Sequence, residues 1–409
     1  MARSATQSAL PRGSKSLLRG GGVALVAIVL LGFGVNAAVR LPCRDACGVD
    51  LGRLYEDRGI DRAHPPYVDR DLEYPPVIGI VMYGATVPFD QGLRGKFLVN
   101  ALLLAALAAV TTWMLWRRYG SATRRWALAP PLLLEGLTNW DLLAVAPATI
   151  ALLEWEAGAA ALAGLLIGIG AAAKLFPALF VPVLVASCVP GKAWARARAV
   201  IAGALLGAGL FVIPTYALAS GALHHFISFH QVRGPNSDTF WYYVMRKPDM
   251  QPWFTEHRMV AIVNVLSTLL LSTAFIVIVL RTARARLTAV AGCALATIAF
   301  IVTNKIYSPQ YDLWVVPFLV MLPVRTKLVV HFYVSSVLVW LLTSTEDHVL
   351  HRPTSLYVLA AGVAYRLVVL LLIARDIWRL GDPARALARN DDDSALTYAA
   401  SLTYAPPTA

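Results

Sequence analysis

The chain has 409 residues, 58% of them hydrophobic and only 15% charged, with a mean hydropathy of +0.61. That balance excludes an ordinary soluble domain and a disordered chain, and it describes an all-α polytopic membrane protein. The formal net charge of +12 raises nucleic acid as a partner. However, the excess Lys and Arg sit in short turns between apolar runs, the orientation signal of a membrane protein, so nucleic acid is set aside.

Arg3, Arg12, Lys15 and Arg19 precede an apolar run from Gly21 to Val39. The charge pattern is that of a signal peptide, but the run is nearly long enough to span and no strong small-residue cleavage site follows. It reads as a retained first helix behind a cytoplasmic tail, residues 1–19. Further apolar runs follow at 96–116, 126–138, 140–154, 158–173, 175–189, 199–219, 259–281, 286–303, 311–324, 328–344 and 355–375. Crossing a ~30 Å hydrocarbon core takes about 20 residues, and several runs are shorter. Pro130, Pro131, Pro147, Pro177 and Pro182 break the 126–189 block into pieces. Such breaks are tolerated where they are buried in protein or line a cavity. The expectation is one transmembrane domain over 20–375, of about 10–12 helices, and a disordered cytoplasmic tail at 376–409.

Lys and Arg in short turns place both termini in the cytoplasm. The segments 40–95, 220–258, 304–310 and 345–354 then face outward, and they carry seven of the eight histidines. Cys188 and Cys293 lie in apolar runs and read as packing residues. Cys43 and Cys47 frame Cys-Arg-Asp-Ala-Cys in the first outer segment, where a local disulfide and two free thiols both remain open. Zinc would need further ligands nearby, so neither a metal nor a cofactor is expected.

Polar side chains at the mouth of an apolar bundle mark where chemistry sits. The first outer segment is dense in Asp, Glu and Arg, and most of these read as a solvated, self-paired surface. Asp50 stands apart at the start of a half-apolar stretch close behind the first span, where a carboxylate can take a proton from a hydroxyl. Asp71 is the reserve. In Thr138-Asn139-Trp140-Asp141, Asp141 reads as a helix cap or as a binding residue. Lys174 interrupts Ala-Ala-Ala-Lys-Leu-Phe-Pro, so it either meets an anion or a watery cavity, or snorkels to the interface. The donor-rich runs His230–Trp241 and Asn304–Trp314 carry Arg233 and Lys305, cations suited to a phosphate. His230 and His351 are weaker candidates for the same role. Interfacial anchoring by cations and aromatics is the plainer reading of both runs.

Four pieces in order resemble glycosyltransferase family 87, the polyprenyl-phosphate-sugar-dependent enzymes of GT-C architecture. They are Val49-Asp50-Leu51 through Leu54-Tyr55 with Tyr74-Pro75-Pro76, then Asn139-Trp140-Asp141, then Ala173-Lys174-Leu175-Phe176-Pro177, and lastly Lys305-Ile306-Tyr307-Ser308-Pro309-Gln310-Tyr311 with Trp314 and Pro317. The resemblance implies a GT-C-type bundle with an extracytoplasmic active site in the cell membrane. It implies a polyprenyl-phosphate-sugar donor, with mannose favoured, and a glycolipid, lipoglycan or polysaccharide acceptor of the envelope. Asp50 takes the part of the base in an inverting displacement. Lys305, Arg233, His230, His351, Tyr74, Gln310, Lys174, Asn139 and Asp141 form the substrate-binding set. Two other readings compete: a transporter or flippase of lipid-linked glycans, disfavoured because no paired halves are visible, and a noncatalytic subunit of envelope assembly.

Overall fold

A computed structural model describes residues 12–43, 49–89, 92–245, 256–344 and 353–380. All its named elements are helices. Six are long and apolar enough to cross a membrane: Gly20–Arg40, Leu93–Ala127, Trp194–Leu218, His257–Ala283, Thr326–Thr343 and Tyr357–Leu380. Between them stand shorter apolar helices at Pro76–Thr86, Ala160–Ala171, Phe176–Cys188 and Ala289–Thr303.

In chain order the elements used below are α1 (Arg12–Arg40), α2 (Asp50–Asp57), α3 (Pro76–Thr86), α4 (Leu93–Tyr119), α5 (Arg124–Ala127), α6 (Pro130–Glu135), α7 (Leu142–Glu156) and α8 (Ala160–Ala171). They continue as α9 (Phe180–Cys188), α10 (Trp194–Leu218), α11 (Ala222–Val232), α12 (Phe240–Met245), α13 (Glu256–Ala283), α14 (Ala289–Thr303), α15 (Val316–Met321), α16 (Thr326–Ser344) and α17 (Pro353–Leu380).

The long helices α10 and α13 expose most of their surface, as lipid-facing spans do, whereas the short helix α7 is buried along nearly its whole length. The short pieces therefore make the centre of the molecule and the long spans its coat. The region expected as spans at 126–138 and 140–154 resolves into α5, α6 and α7, because Pro130 and Pro131 open a helix of only six residues. The apolar helix α3 lies inside what the sequence reading took for an outer loop.

The tightest helix pair is α8 on α10. Gly164 and Gly168 of α8 face Gly203 and Gly207 of α10 in reciprocal small-xxx-small patterns. A Cβ on Gly164 would fall on the Val200 carbonyl oxygen, and one on Gly207 on the Leu165 carbonyl oxygen. Backbone-to-backbone approach of this kind is how helices associate where lipid removes the hydrophobic drive.

The chain breaks after α8 and α14 present their loops, 172–179 and 304–308, to one interior space. The amide of Val77 at the start of α3 donates to Ala172 O at 2.9 Å, which ties the first of these breaks to α3.

Candidate active site

α2 is amphipathic. Leu51, Leu54 and Tyr55 are buried on one face, while Arg53 and Asp57 lie outward. The Tyr55 hydroxyl donates to Met82 O at 3.1 Å and accepts from Asn100 Nδ2 at 2.9 Å, and Asn100 Oδ1 accepts from Trp140 Nε1 at 2.6 Å. These bonds pin α2 to α3, α4 and the 139–141 turn, and so fix Asp50 at its first position.

The Asp50 side chain is 20% exposed. Its Oδ2 accepts from Asn139 Nδ2 at 2.6 Å and from the Tyr74 hydroxyl at 3.4 Å, while Arg53 lies 3.3 Å from Oδ1. Asn139 Nδ2 also donates to the Tyr74 oxygen at 2.8 Å. Motif residues separated by 24 and 89 positions thus converge on one carboxylate.

Lys174 sits beneath Tyr74, its Nζ 5.1 Å from that ring and 5.5 Å from the Tyr311 ring. Asp141 approaches it to 3.3 Å and also accepts from Trp314 Nε1 at 2.7 Å. Asp141 occupies the N-cap position of α7, but its side chain makes no capping bond. The capping reading therefore fails, and the carboxylate pairs with Lys174 instead. Lys174 likewise meets an anion and a cavity instead of snorkelling.

That cavity encloses about 580 Å³. Tyr74 and Lys174 form one wall, while His230, Arg233 and Lys305 form another. A third comes from α13, whose residues Asn264, Ser267 and Thr268 share one helical face. Lys305 Nζ donates to His230 O at 2.8 Å, and Arg233 donates to Asn236 Oδ1 at 3.3 Å. Among the described residues no carboxylate lies within 4.0 Å of either cation. Burial, with the Arg233 charge, pushes the Lys305 ammonium down to about 8. Burial also lowers His230, whose Nε2 donates to Glu73 O at 3.2 Å. Burial raises the Glu73 carboxyl, but the bidentate grip of Arg58 at 2.6 and 2.8 Å, with a backbone hydrogen bond and the Arg233 charge, holds it below the usual range.

Other expected residues fall elsewhere. Asp71 is 76% exposed on its side chain and meets His225 at 3.5 Å, apart from the Asp50 cluster. Gln310 is buried away from the cavity wall. His351 lies outside the described residues. Cys43 is disulfide-bonded, and Cys47 also lies outside the described residues. Among the described residues no cluster suited to a metal occurs. The sequence reading missed the Arg58–Glu73 pair, the polar face of α13, and Arg366, which is fully buried in α17. An arginine inside an apolar run was the available signal for the last.

The family model Glycosyltransferase family 87 matches residues 72–303, more than half of the chain. Among solved structures the protein is similar to that of ArnT from Cupriavidus metallidurans bound to undecaprenyl phosphate. The identity is 16% and the TM-score 0.45, over 88% of this chain and 78% of that one. No curated protein matches.

Proposed function

We propose a donor, a base and a side of the membrane from one premise: the chain belongs to glycosyltransferase family 87. It is a glycosyltransferase with multiple membrane helices. In our reading it takes a sugar, mannose by family resemblance, from a polyprenyl-phosphate carrier. It passes that sugar to a hydroxyl of an envelope glycolipid, lipoglycan or polysaccharide on the extracytoplasmic face, where the membrane lipids present both substrates.

The observation that carries this reading is the division among the cavity's cations. Lys174 is neutralised by Asp141 and the lining carboxylate Glu73 is held by Arg58, whereas Lys305 and Arg233 face the same space with no carboxylate in ion-pair contact. A sugar phosphodiester bears one negative charge, and its phosphate gains a second as the sugar leaves. Two cations without a direct ion-pair partner therefore favour the transition state over the ground state, the kind of stabilisation that accelerates the reaction. The phosphate sits at Lys305 and Arg233. The sugar points toward Lys174 and Tyr74, and Asp50 stands beyond Tyr74. The acceptor hydroxyl loses its proton to Asp50 as its oxygen bonds to the anomeric carbon. The carbon–oxygen bond to phosphate breaks, its electron pair departs on the phosphate, and the anomeric centre inverts. Asn139 and Tyr74 keep the carboxylate oriented. The bonded Cys43 suits an oxidising outer compartment.

The test is transfer of radiolabelled sugar from a polyprenyl-phosphate donor to membrane glycolipids. A positioned base contributes about 10²–10⁴-fold in rate. Asp50→Asn should fold, bind donor and lose transfer on that scale, with Asp71→Asn as the exposed-carboxylate comparison. Retention of more than about a tenth of wild-type turnover by Asp50→Asn, well short of that loss, refutes the assignment.

A further inference from the structure

The last described helix, α17, places Arg366 in the middle of an apolar run with no exposed surface. A cation at that depth is expensive and is kept for a partner or a task. Its guanidinium lies 3.7 Å from the Tyr307 ring centroid. One terminal nitrogen donates to Asp238 O at 2.8 Å and reaches Tyr307 O at 3.5 Å. The other is 3.8 Å from Asp312 Oδ2. Asp312 is itself fully buried and accepts from the Tyr307 and Ser336 hydroxyls.

One side chain thus holds two outer segments at once. The turn at 236–239 follows Arg233, and the stretch 304–308 carries Lys305. These segments also meet directly, since Asn236 N donates to Lys305 O at 3.1 Å and Asn236 Nδ2 to Ser308 Oγ at 3.0 Å. Asn236 in turn receives Arg233. The ion pair alone does not account for an arginine here. At 3.8 Å it is looser than a charge-assisted hydrogen bond, while the closest contact goes to a backbone carbonyl. A flat guanidinium that covers a ring and forks between two loops is work that Lys cannot do.

We propose that Arg366 is a positioning residue of the donor-phosphate clamp: it braces 236–239 against 304–308 so that Arg233 and Lys305 converge on one phosphate. The inference rests on the phosphate reading of those two cations.

The experiment uses the full chain in nanodiscs, with farnesyl phosphate as a short polyprenyl monophosphate probe. Arg366→Met alone strands the buried Asp312 charge and should lower thermal stability sharply. The charge-neutral pair Asp312→Asn with Arg366→Met should recover much of that stability. It should still bind the probe about tenfold or more weakly, the scale of a lost charged hydrogen bond, and should show faster amide exchange at 236–241 and 304–308 with an unchanged acceptor KM. Arg366→Lys should keep stability but not affinity. If the neutral pair binds like wild type while Lys305→Met is weakened, Arg366 only balances Asp312 and the proposal falls. If Lys305→Met is silent as well, the phosphate reading fails, and amide exchange alone judges the brace: unchanged exchange overturns it and faster exchange sustains it.

Discussion

Lys305 lies in the stretch 304–308 after α14, with its ammonium pushed down to about 8 by burial and by Arg233. The charged form therefore dominates at pH 7 and is lost as the pH climbs through 8, while a bound phosphate pulls the value back up. Donor affinity should accordingly hold steady from pH 6 to 7 and fall between 7 and 9, by up to about tenfold to a hundredfold if one charge-assisted contact is lost. In Lys305→Met the same titration, read by equilibrium binding of donor, should be flat. A flat wild-type curve would remove Lys305 from the phosphate. His230 contributes differently: burial lowers it, so it is neutral at pH 7, and with Nε2 donating to Glu73 O its Nδ1 is left as an acceptor. Asp50, Lys174, Arg233 and Lys305 are legible in the sequence because each is a charge set against an apolar or donor-rich background. Their partners are not. Asp141 lies 33 residues from Lys174, and Asn139 lies 89 from Asp50. Nothing local announces that one carboxylate neutralises a lysine while the other is held by an amide.

The elements tell a similar story one level up. Pro130 and Pro131 mark the break before α6 and Pro177 the one before α9, whereas Pro147 and Pro182 sit inside α7 and α9 without ending them. The breaks after α8 and α14 deliver site residues, as expected where irregular backbone lines a cavity. The 11-residue helix α3 escapes a sequence reading because it is too short to register as a span. The closeness of α8 and α10 is equally hard to see in advance, since alternating Gly and Ala satisfy many packings. That contact has a direct test. Gly164→Val and Gly207→Val each drive a side chain into the opposing backbone. Each should cost about 1–3 kcal/mol, the usual penalty of overpacking, and lower the thermal midpoint in nanodiscs by an amount easily resolved. Gly34→Val supplies the control, because an added Cβ there meets nothing within 4 Å. Equal midpoints for all three variants would mean that α8 and α10 are not in backbone contact.

Over the whole molecule the basic turns and the cavity occupy opposite ends. Arg125 donates to Leu319 O at 3.0 Å and Val324 O at 3.1 Å, Arg325 pairs with Asp376 at 3.0 Å, and Arg281 covers the Trp378 ring at 4.2 Å. The turns near 125, 281, 325 and 376 therefore gather on one side. Each of α4, α13 and α17 ends at that side, and α16 begins there. Asp50, Glu73, His230, Arg233 and Lys305 lie at the other ends of the spans, whichever way the molecule sits in the bilayer. The orientation we propose, with the basic turns in the cytoplasm, would set the cavity outside, the side on which a lipid-carried sugar would have to be presented. A membrane-impermeant maleimide applied to intact spheroplasts should label Asp69→Cys, an exposed position in the first outer segment, and spare Ser121→Cys, exposed in the turn after α4. After lysis both should react. Labelling of Ser121→Cys with protection of Asp69→Cys in intact cells would invert the molecule. The clamp would then face the cytoplasm, where a carrier in the outer leaflet could not supply it.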